Sequence, residues 1–263
     1  MPVFTDMLGR SVSLEQPVKR VISLVPSQTE FLYHIGMADR IVGQTVFCVH
    51  PADRFKQAVK VGGTKKVKFE LIDELQPDLI ICNKEENNIE IVETLSARYP
   101  VWVSDVRNTD DACNMMSMLG DILQAGAETE ALLSGIRNSF SAAKLYHRHP
   151  CVYLIWRNPF MAAGSDTFIS HMLNKAGFVN LIQDKRYPEL SIEALQAINP
   201  PLLLLSSEPY PFAEKHVAEM QKLLPHSKIM IADGEMFSWY GSRLLNSQTY
   251  FNELQRQLHK TKR

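Results

Sequence analysis

One phrase occurs twice in this chain, and it constrains the fold more than any other feature. Glu70-Leu71-Ile72-Asp73-Glu74-Leu75-Gln76-Pro77 runs into Asp78-Leu79-Ile80-Ile81-Cys82 and closes at Glu85. Sliding the chain by 123 positions places Glu193 on Glu70, Pro200 on Pro77, Leu202 on Leu79 and Glu208 on Glu85, so four of 16 aligned pairs are identical and most others keep polarity. Each copy reads as a short helix stopped by proline, then a buried run of strand length. Such a phrase is common once in α/β proteins. Two copies, each preceded by a strand-turn-helix unit, predict two similar lobes.

The remaining chain alternates in the same way. Val21–Val25 reads as a buried strand, and Ser27-Gln28-Thr29-Glu30 has the form of a capping box opening a helix that stops near Gly36. Ile41–Phe47 and Val101–Ser104 read as strands, and Ile89–Arg98 as a helix. From Asp110 the pattern is helical with a break near Gln124–Glu128, and Glu128–His147 carries apolar residues at helical spacing. Beyond Pro150, strands are expected at Cys151–Trp156, Leu202–Leu205 and Ile229–Ala232, with helices at Asp166–Ala176, Ser191–Ile198, Ala213–Leu224 and Leu244–His259. Strands alternating with helices imply parallel sheets covered on both faces. The expected fold is therefore α/β, with two Rossmann-like lobes of parallel sheet, 1–125 and 149–263, joined by a rigid backbone helix over 126–148, and a ligand cleft between the lobes.

Composition excludes several classes. Lys and Arg total 28 against 29 for Asp and Glu, a net charge of −1; this removes the electrostatic case for binding nucleic acid. No apolar run approaches the roughly 18 residues of a membrane span. Residues 1–20 carry Asp6, Arg10, Glu15, Lys19 and Arg20 with no long apolar stretch, so no signal peptide is read there, and the chain is expected in the cytoplasm if Met1 is its native start. The four cysteines, Cys48, Cys82, Cys113 and Cys151, contain no C-x-x-C pair and are read as free buried thiols.

In open parallel sheets ligands bind beyond the carboxyl ends of strands. The loops there nominate Ser27 and Gln28, Cys48 and His50, Lys65, Asn83 and Glu85 in the first half. In the second half they nominate Trp156 and Arg157, Glu208, and the aromatic stretch Phe237, Trp239, Tyr240 with Arg243. Aromatic residues with a few polar groups suit a small-molecule pocket. Arg157 and Arg243 suit either a bidentate clamp on an anion or ordinary ion pairing. Cys48, His50, Glu85 and Glu208 supply the alternative of a metal-assisted enzyme, against which stands the lack of H-E-x-x-H, G-x-S-x-G, Walker-type or G-x-G-x-x-G motifs. No catalytic residue, resident metal or covalent cofactor is therefore expected. Glu70 and Glu193 occupy equivalent helix starts, where the helix dipole alone favours a carboxylate; as a matched anionic pair they also suit two cationic sites on a partner.

Phe4-Thr5-Asp6-Met7-Leu8-Gly9-Arg10, followed by Arg20-Val21-Ile22-Ser23-Leu24-Val25-Pro26-Ser27-Gln28-Thr29-Glu30, resembles the opening of substrate-binding proteins of ABC importers for cobalamin, haem and ferric siderophores. These are the helical-backbone metal receptors, or class III periplasmic binding proteins. Leu75-Gln76-Pro77-Asp78-Leu79-Ile80 resembles their second hallmark, and Glu128–His147 their backbone helix. The likeness spans about residues 4 to 258 and is nearest to the cobalamin-binding members. It implies a monomeric, non-enzymatic receptor for a metal chelate, working outside the inner membrane once a leader is removed. It matches Glu70 and Glu193 to the two glutamates that dock the lobes onto permease arginines, and it adds Tyr187 to the cleft beside His50, Lys65, Asn83 and residues 235–243. It also sets Lys65 and Asn83 where cobalamin binders carry tryptophan, a more polar lining that suits a ferric chelate bearing carboxylates. A leaderless relative would instead bind or sense a chelate in the cytosol.

Overall fold

The computed structural model describes residues 1–141 and 148–260. It divides into two compact units: one of Met1–Val106, Asp110–Asn138 and Tyr240–Leu245, the other of Arg107–Thr109, Ser139–Trp239 and the chain from Asn246 onward.

The first unit opens with an antiparallel hairpin, β1 (Val3–Thr5) and β2 (Ser11–Ser13), too short to be marked by alternation in the sequence. Buried Asp6 holds it: its carboxylate accepts from the Leu8 and Arg10 amides, pairs with Arg10 Nε at 2.7 Å and reaches the Val103 amide. Then follow β3 (Val21–Ser23), α1 (Pro26–His34), β4 (Ile41–Gln44), β5 (Val59–Lys60), α2 (Phe69–Leu75), β6 (Leu79–Asn83), α3 (Ile89–Ser96), β7 (Val101–Ser104), α4 (Thr109–Ile122) and α5 (Gly126–Ser141). The sheet order is β5-β4-β3-β6-β7, every pair parallel. Each residue of β3, β6 and β7 is buried, the mark of strands covered on both faces. Ile22, Ile80, Ile72, Leu95 and Val103 pack into one core between sheet and helices.

The second unit contains β8 (His149–Trp156), β9 (Phe160–Ala162), α6 (Phe168–Lys175), β10 (Phe178–Asn180), β11 (Glu189–Leu190), α7 (Ile192–Ile198), β12 (Leu202–Ser206), α8 (Glu214–Leu223), β13 (Lys228–Ala232), α9 (Gly234–Ser238) and α10 (Leu244–Lys260). The strands β10, β8, β12 and β13 are parallel. β9 and β11 add antiparallel pairs that the periodicity did not announce. They fit because β8 is long: β10 pairs with its start and β9 with its end. Val152, Leu154, Leu203, Leu205, Leu195 and Met220 form the core.

The repeated phrase is the same structure twice. α2 ends at Gln76 and α7 at Asn199, both left-handed, with φ of 40° and 43°. Each is followed by its proline and then by a fully buried strand that pairs with the first strand of its main sheet, β6 with β3 and β12 with β8. The break before residue 126 is also present, between α4 and α5. Of the rod expected over Glu128–His147, residues 142–147 lie outside the described residues.

Three local expectations are corrected. The helix after β3 starts at Pro26, two residues early, with Val25 before it and no side-chain cap. Proline fixes the first helical φ, so Ser27 lies inside the helix and Glu30 is released for another partner. The strand from Ile41 ends at Gln44 rather than Phe47, because Val46 turns to donate to the Gly62 carbonyl at 2.8 Å. Residues 236–238, read as loop, belong to α9, which Asp233 caps through the Glu235 amide at 3.1 Å.

Candidate functional site

Parallel strands place their carboxyl ends, and the loops that follow, on one edge of each sheet. In the first unit this rim comprises the start of α1, residues 45–50, the turn 62–67, residues 84–88 and the stretch Tyr240–Leu245. Two of its turns are stitched together. Lys65 Nζ donates to the Glu85 carbonyl at 2.6 Å, Asn87 Nδ2 to the Thr64 carbonyl at 2.9 Å and Asn88 Nδ2 to the Lys65 carbonyl at 3.3 Å. Lys65, Lys66 and Lys68 are exposed, Glu85 and His50 half-buried, and Phe47 and Val49 present apolar surface beside them.

Several nominated residues face inward. Asn83 is 1% exposed; its amide donates to Ser104 Oγ at 3.0 Å and its carbonyl accepts the Glu85 and Glu86 amides. It shapes the turn and presents nothing to a ligand. Ser27 and Gln28 are buried as well, Gln28 donating to Ser104 Oγ in a short bond. Cys48 is buried with its sulfur 3.2 Å from the hydroxyls of Thr29 and Thr45. Burial pushes its thiol up, against those hydroxyls and Lys60, the opposite of the lowered pKa that marks a reactive cysteine nucleophile. Among the described residues no three His, Cys, Asp or Glu side chains gather as metal ligands.

Arg243 and Tyr240 are also engaged. Arg243 grips Glu30 with two bonds, Nη2 to Oε1 at 2.7 Å and Nε to Oε2 at 3.2 Å, both side chains largely buried. The Tyr240 hydroxyl donates to Glu86 Oε1 at 3.3 Å, and burial, with Glu86 second, pushes its pKa well up. Between them Gly241 lies so close to α1 that a Cβ would stand 2.4 Å from the Ser27 carbonyl oxygen.

The second unit's rim carries Trp156 at the end of β8 and Arg157 after it, residues 207–212 after β12, and α9 after β13. Trp156 is 39% exposed and meets Tyr210 edge-on at 5.7 Å. Arg157 pairs with Glu219 at 2.6 Å. Half-buried Tyr187 lies under the Arg186 guanidinium at 6.0 Å. Half-buried Glu208 accepts from Ser238 Oγ at 2.5 Å and Trp239 Nε1 at 3.0 Å. Burial, the largest influence, pushes its carboxyl up, with Glu235 and Asp233 adding to it against those two donors. Phe237 belongs to the core: it is fully buried, 5.2 Å from the Tyr153 ring and 4.9 Å from Phe251. Trp239, at 6% exposed, is nearly as enclosed. Sequence reasoning missed His216 and the partners of three others: Glu30 on Arg243, Glu86 on Tyr240 and Ser238 on Glu208. Of these only His216 had a local signal, its place three residues beyond Ala213 at a helix start, and the alanine there concealed it.

Glu70 and Glu193 are both exposed and both second in seven-residue helices. Ser191 caps the α7 start by accepting from the Ala194 amide at 3.1 Å, and Ser191 with the Glu193 amide holds the Glu193 carboxyl below its ordinary range. Nothing comparable caps α2.

A model of the periplasmic binding protein family matches residues 21–225. The chain belongs to that family. Among its family relatives, the vitamin B12-binding protein of Vibrio parahaemolyticus serotype O3:K6 is 26% identical over 78% of this chain and 76% of its own length. An ABC transporter substrate-binding lipoprotein of Bacillus subtilis, YvrC, is 26% identical over 74% of this chain and 66% of its own. The fold is shared with the periplasmic haem-binding protein RhuT of Roseiflexus sp. RS-1, at 20% identity and a TM-score of 0.79 over 92% of this chain and 98% of that one. It is shared too with the vitamin B12-binding protein BtuF of Vibrio cholerae, at 19% identity and 0.74 over 93% and 99%. Among the described residues of this periplasmic binding protein, no helix is long and apolar enough to cross a membrane.

Proposed function

We propose that this chain is the substrate-binding component of an ABC importer, a monomer without enzymatic activity that captures one metal-containing small molecule outside the inner membrane and delivers it to a permease. The observation that carries this reading is the family match over residues 21–225, in a chain whose two units each present a rim of loops beyond parallel strands. Two ligand classes come from the relatives' names, a corrinoid and haem; the third, a ferric siderophore, comes from the family resemblance. Lys65, Lys66 and Lys68, exposed on the first rim, favour an anionic chelate over a neutral corrinoid. The residues proposed to meet ligand are His50, Lys65 and Glu85 in the first unit and, taken separately, Trp156, Arg157, Tyr187 and Glu208 in the second. Glu70 and Glu193 are the docking carboxylates, supported by their exposure and by their equivalent positions on α2 and α7.

A thermal-shift and calorimetry screen with cyanocobalamin, haemin and ferric tricarboxylate or catecholate siderophores tests the binding function. A true ligand at a hundred times its Kd stabilises the fold by about 2.7 kcal/mol. No shift with any of the four sinks the import reading. Replacing both Glu70 and Glu193 by Lys leaves the affinity of that ligand unchanged and abolishes uptake in reconstituted vesicles; undiminished uptake removes the docking role.

A further inference from the structure

Behind the second rim lies a cluster that the binding function does not use. His216 is the third residue of α8 and is 3% exposed. Its Nδ1 accepts the backbone N–H of Ala213 at 2.9 Å, just ahead of the helix. Ala213 has no side-chain oxygen with which to cap, so His216 supplies only the reciprocal half of a capping box. That bond sets the tautomer: Nδ1 is bare, and Nε2–H faces the Tyr210 hydroxyl at 3.3 Å. The imidazole packs edge-on against Tyr210 and Phe212, each at 5.5 Å between centroids, and Tyr210 in turn packs edge-on against Trp156. The neutral ring thus seats the loop after β12 together with the Arg157 side chain, which bonds Tyr210, and the Tyr210 N–H, which donates to the Ile155 carbonyl at 3.4 Å; that loop in turn packs on the exposed indole at the end of β8.

We propose that His216 is the positioning residue of this aromatic rim, and that protonation of its Nδ1 unseats Tyr210 and Trp156. An imidazolium carries two donors and no acceptor, so the Ala213 N–H would face another N–H in a buried site. The charged groups around the ring set the direction. Lys215 on its own helix and Arg157 from the turn after β8 oppose a third positive charge, while Glu219, already held by Arg157, favours it; Tyr210 is the remaining titratable neighbour. Burial, Lys215 and Arg157 prevail and hold His216 below its ordinary 6.5. The rim is therefore seated at neutral pH and released in acid. The inference requires no particular ligand.

The test follows two nitrogen-bound protons by NMR between about pH 5 and 8, the window in which histidine titrates. They are the Ala213 amide and the Trp156 indole, the latter assigned by its loss in Trp156→Phe. In the wild-type chain both resonances move together, with one midpoint below 6.5. In His216→Gln, whose carbonyl still accepts the Ala213 N–H and does not titrate, both keep their neutral positions throughout. Arg157→Gln, which removes a repelling cation and frees Glu219, raises the wild-type midpoint. Movement of both signals in His216→Gln, stillness in the wild type, movement of Ala213 without Trp156, or a midpoint unmoved or lowered in Arg157→Gln each overturns the proposal.

Discussion

From sequence Arg243 suits either an anion clamp or an ion pair, and in the structure its fork holds the Glu30 carboxylate. The pair offers a sharp test. Arg243 and Glu30 retain only 13% and 17% of their side-chain exposure and are joined by two bonds. At a charge separation of about 4 Å and an effective dielectric near 20, their attraction is about 4 kcal/mol before desolvation is subtracted. Deleting one partner strands the other, and for buried pairs this costs about 3–5 kcal/mol. The residual exposure argues for the lower end, about 3 kcal/mol for Glu30→Ala or Arg243→Ala. Removing both leaves no stranded charge, so the double variant should cost less than the two singles added, by about 2 kcal/mol or more. Urea denaturation is the assay, followed through Trp102, a buried indole of the same unit. Single costs below about 1 kcal/mol that simply add would mark an exposed-type pair and refute the argument. Full stability in Arg243→Ala with loss of ligand binding would restore the clamp.

Glu208 gives a pH signature of known sign. Its carboxyl is pushed up by burial, so the folded state holds its proton more tightly than the unfolded chain. The associated stability is present below the ordinary value of 4.5 and is lost as pH rises through the folded value. Glu208→Gln, which can still accept from Ser238 and Trp239, should gain on the wild type above that window and lose the advantage below 4.5. Denaturation midpoints across pH check this, and a gap independent of pH refutes it. Gly241→Ala drives a Cβ to 2.4 Å from the Ser27 carbonyl oxygen and should cost about 1–3 kcal/mol. The control is Gly126→Ala, where nothing lies within 4 Å; calorimetric melting should show little loss there. Equal losses at the two sites would discount the close approach.

The fold was legible because its signals are local. A proline after a short amphipathic turn and a run of four apolar residues specify α2–β6 and α7–β12 from neighbours in sequence. The left-handed caps at Gln76 and Asn199 show that the repeat reaches down to backbone angles. The β9 and β11 pairings were not legible, since strands of three and two residues carry too little alternation to be seen.

Sites follow a different logic. Sequence locates the loop after a strand but does not say which way a side chain on it points. On β6, buried on both faces, Asn83 has no period to betray that its amide turns toward Ser104. Phe237, Trp239 and Tyr240 look like one aromatic platform, yet the turn of α9 sends Phe237 into a cluster with Tyr153 and Phe251. Arg243 pairs with a residue 213 positions away, and a guanidinium reads the same in sequence whether it awaits a ligand or already has a carboxylate. Solvent contact narrows the nominated residues to His50, Lys65, Glu85 and the paired Arg243 in the first unit, and Trp156, Arg157, Tyr187 and Glu208 in the second. In that set Trp156 is the one exposed tryptophan. Its ring packs on Tyr210, and Tyr210 on His216, a residue with almost no solvent contact to recommend it and no motif to announce it. The exposed side chains of such a rim are therefore placed as much by the buried rings behind them as by their own loops.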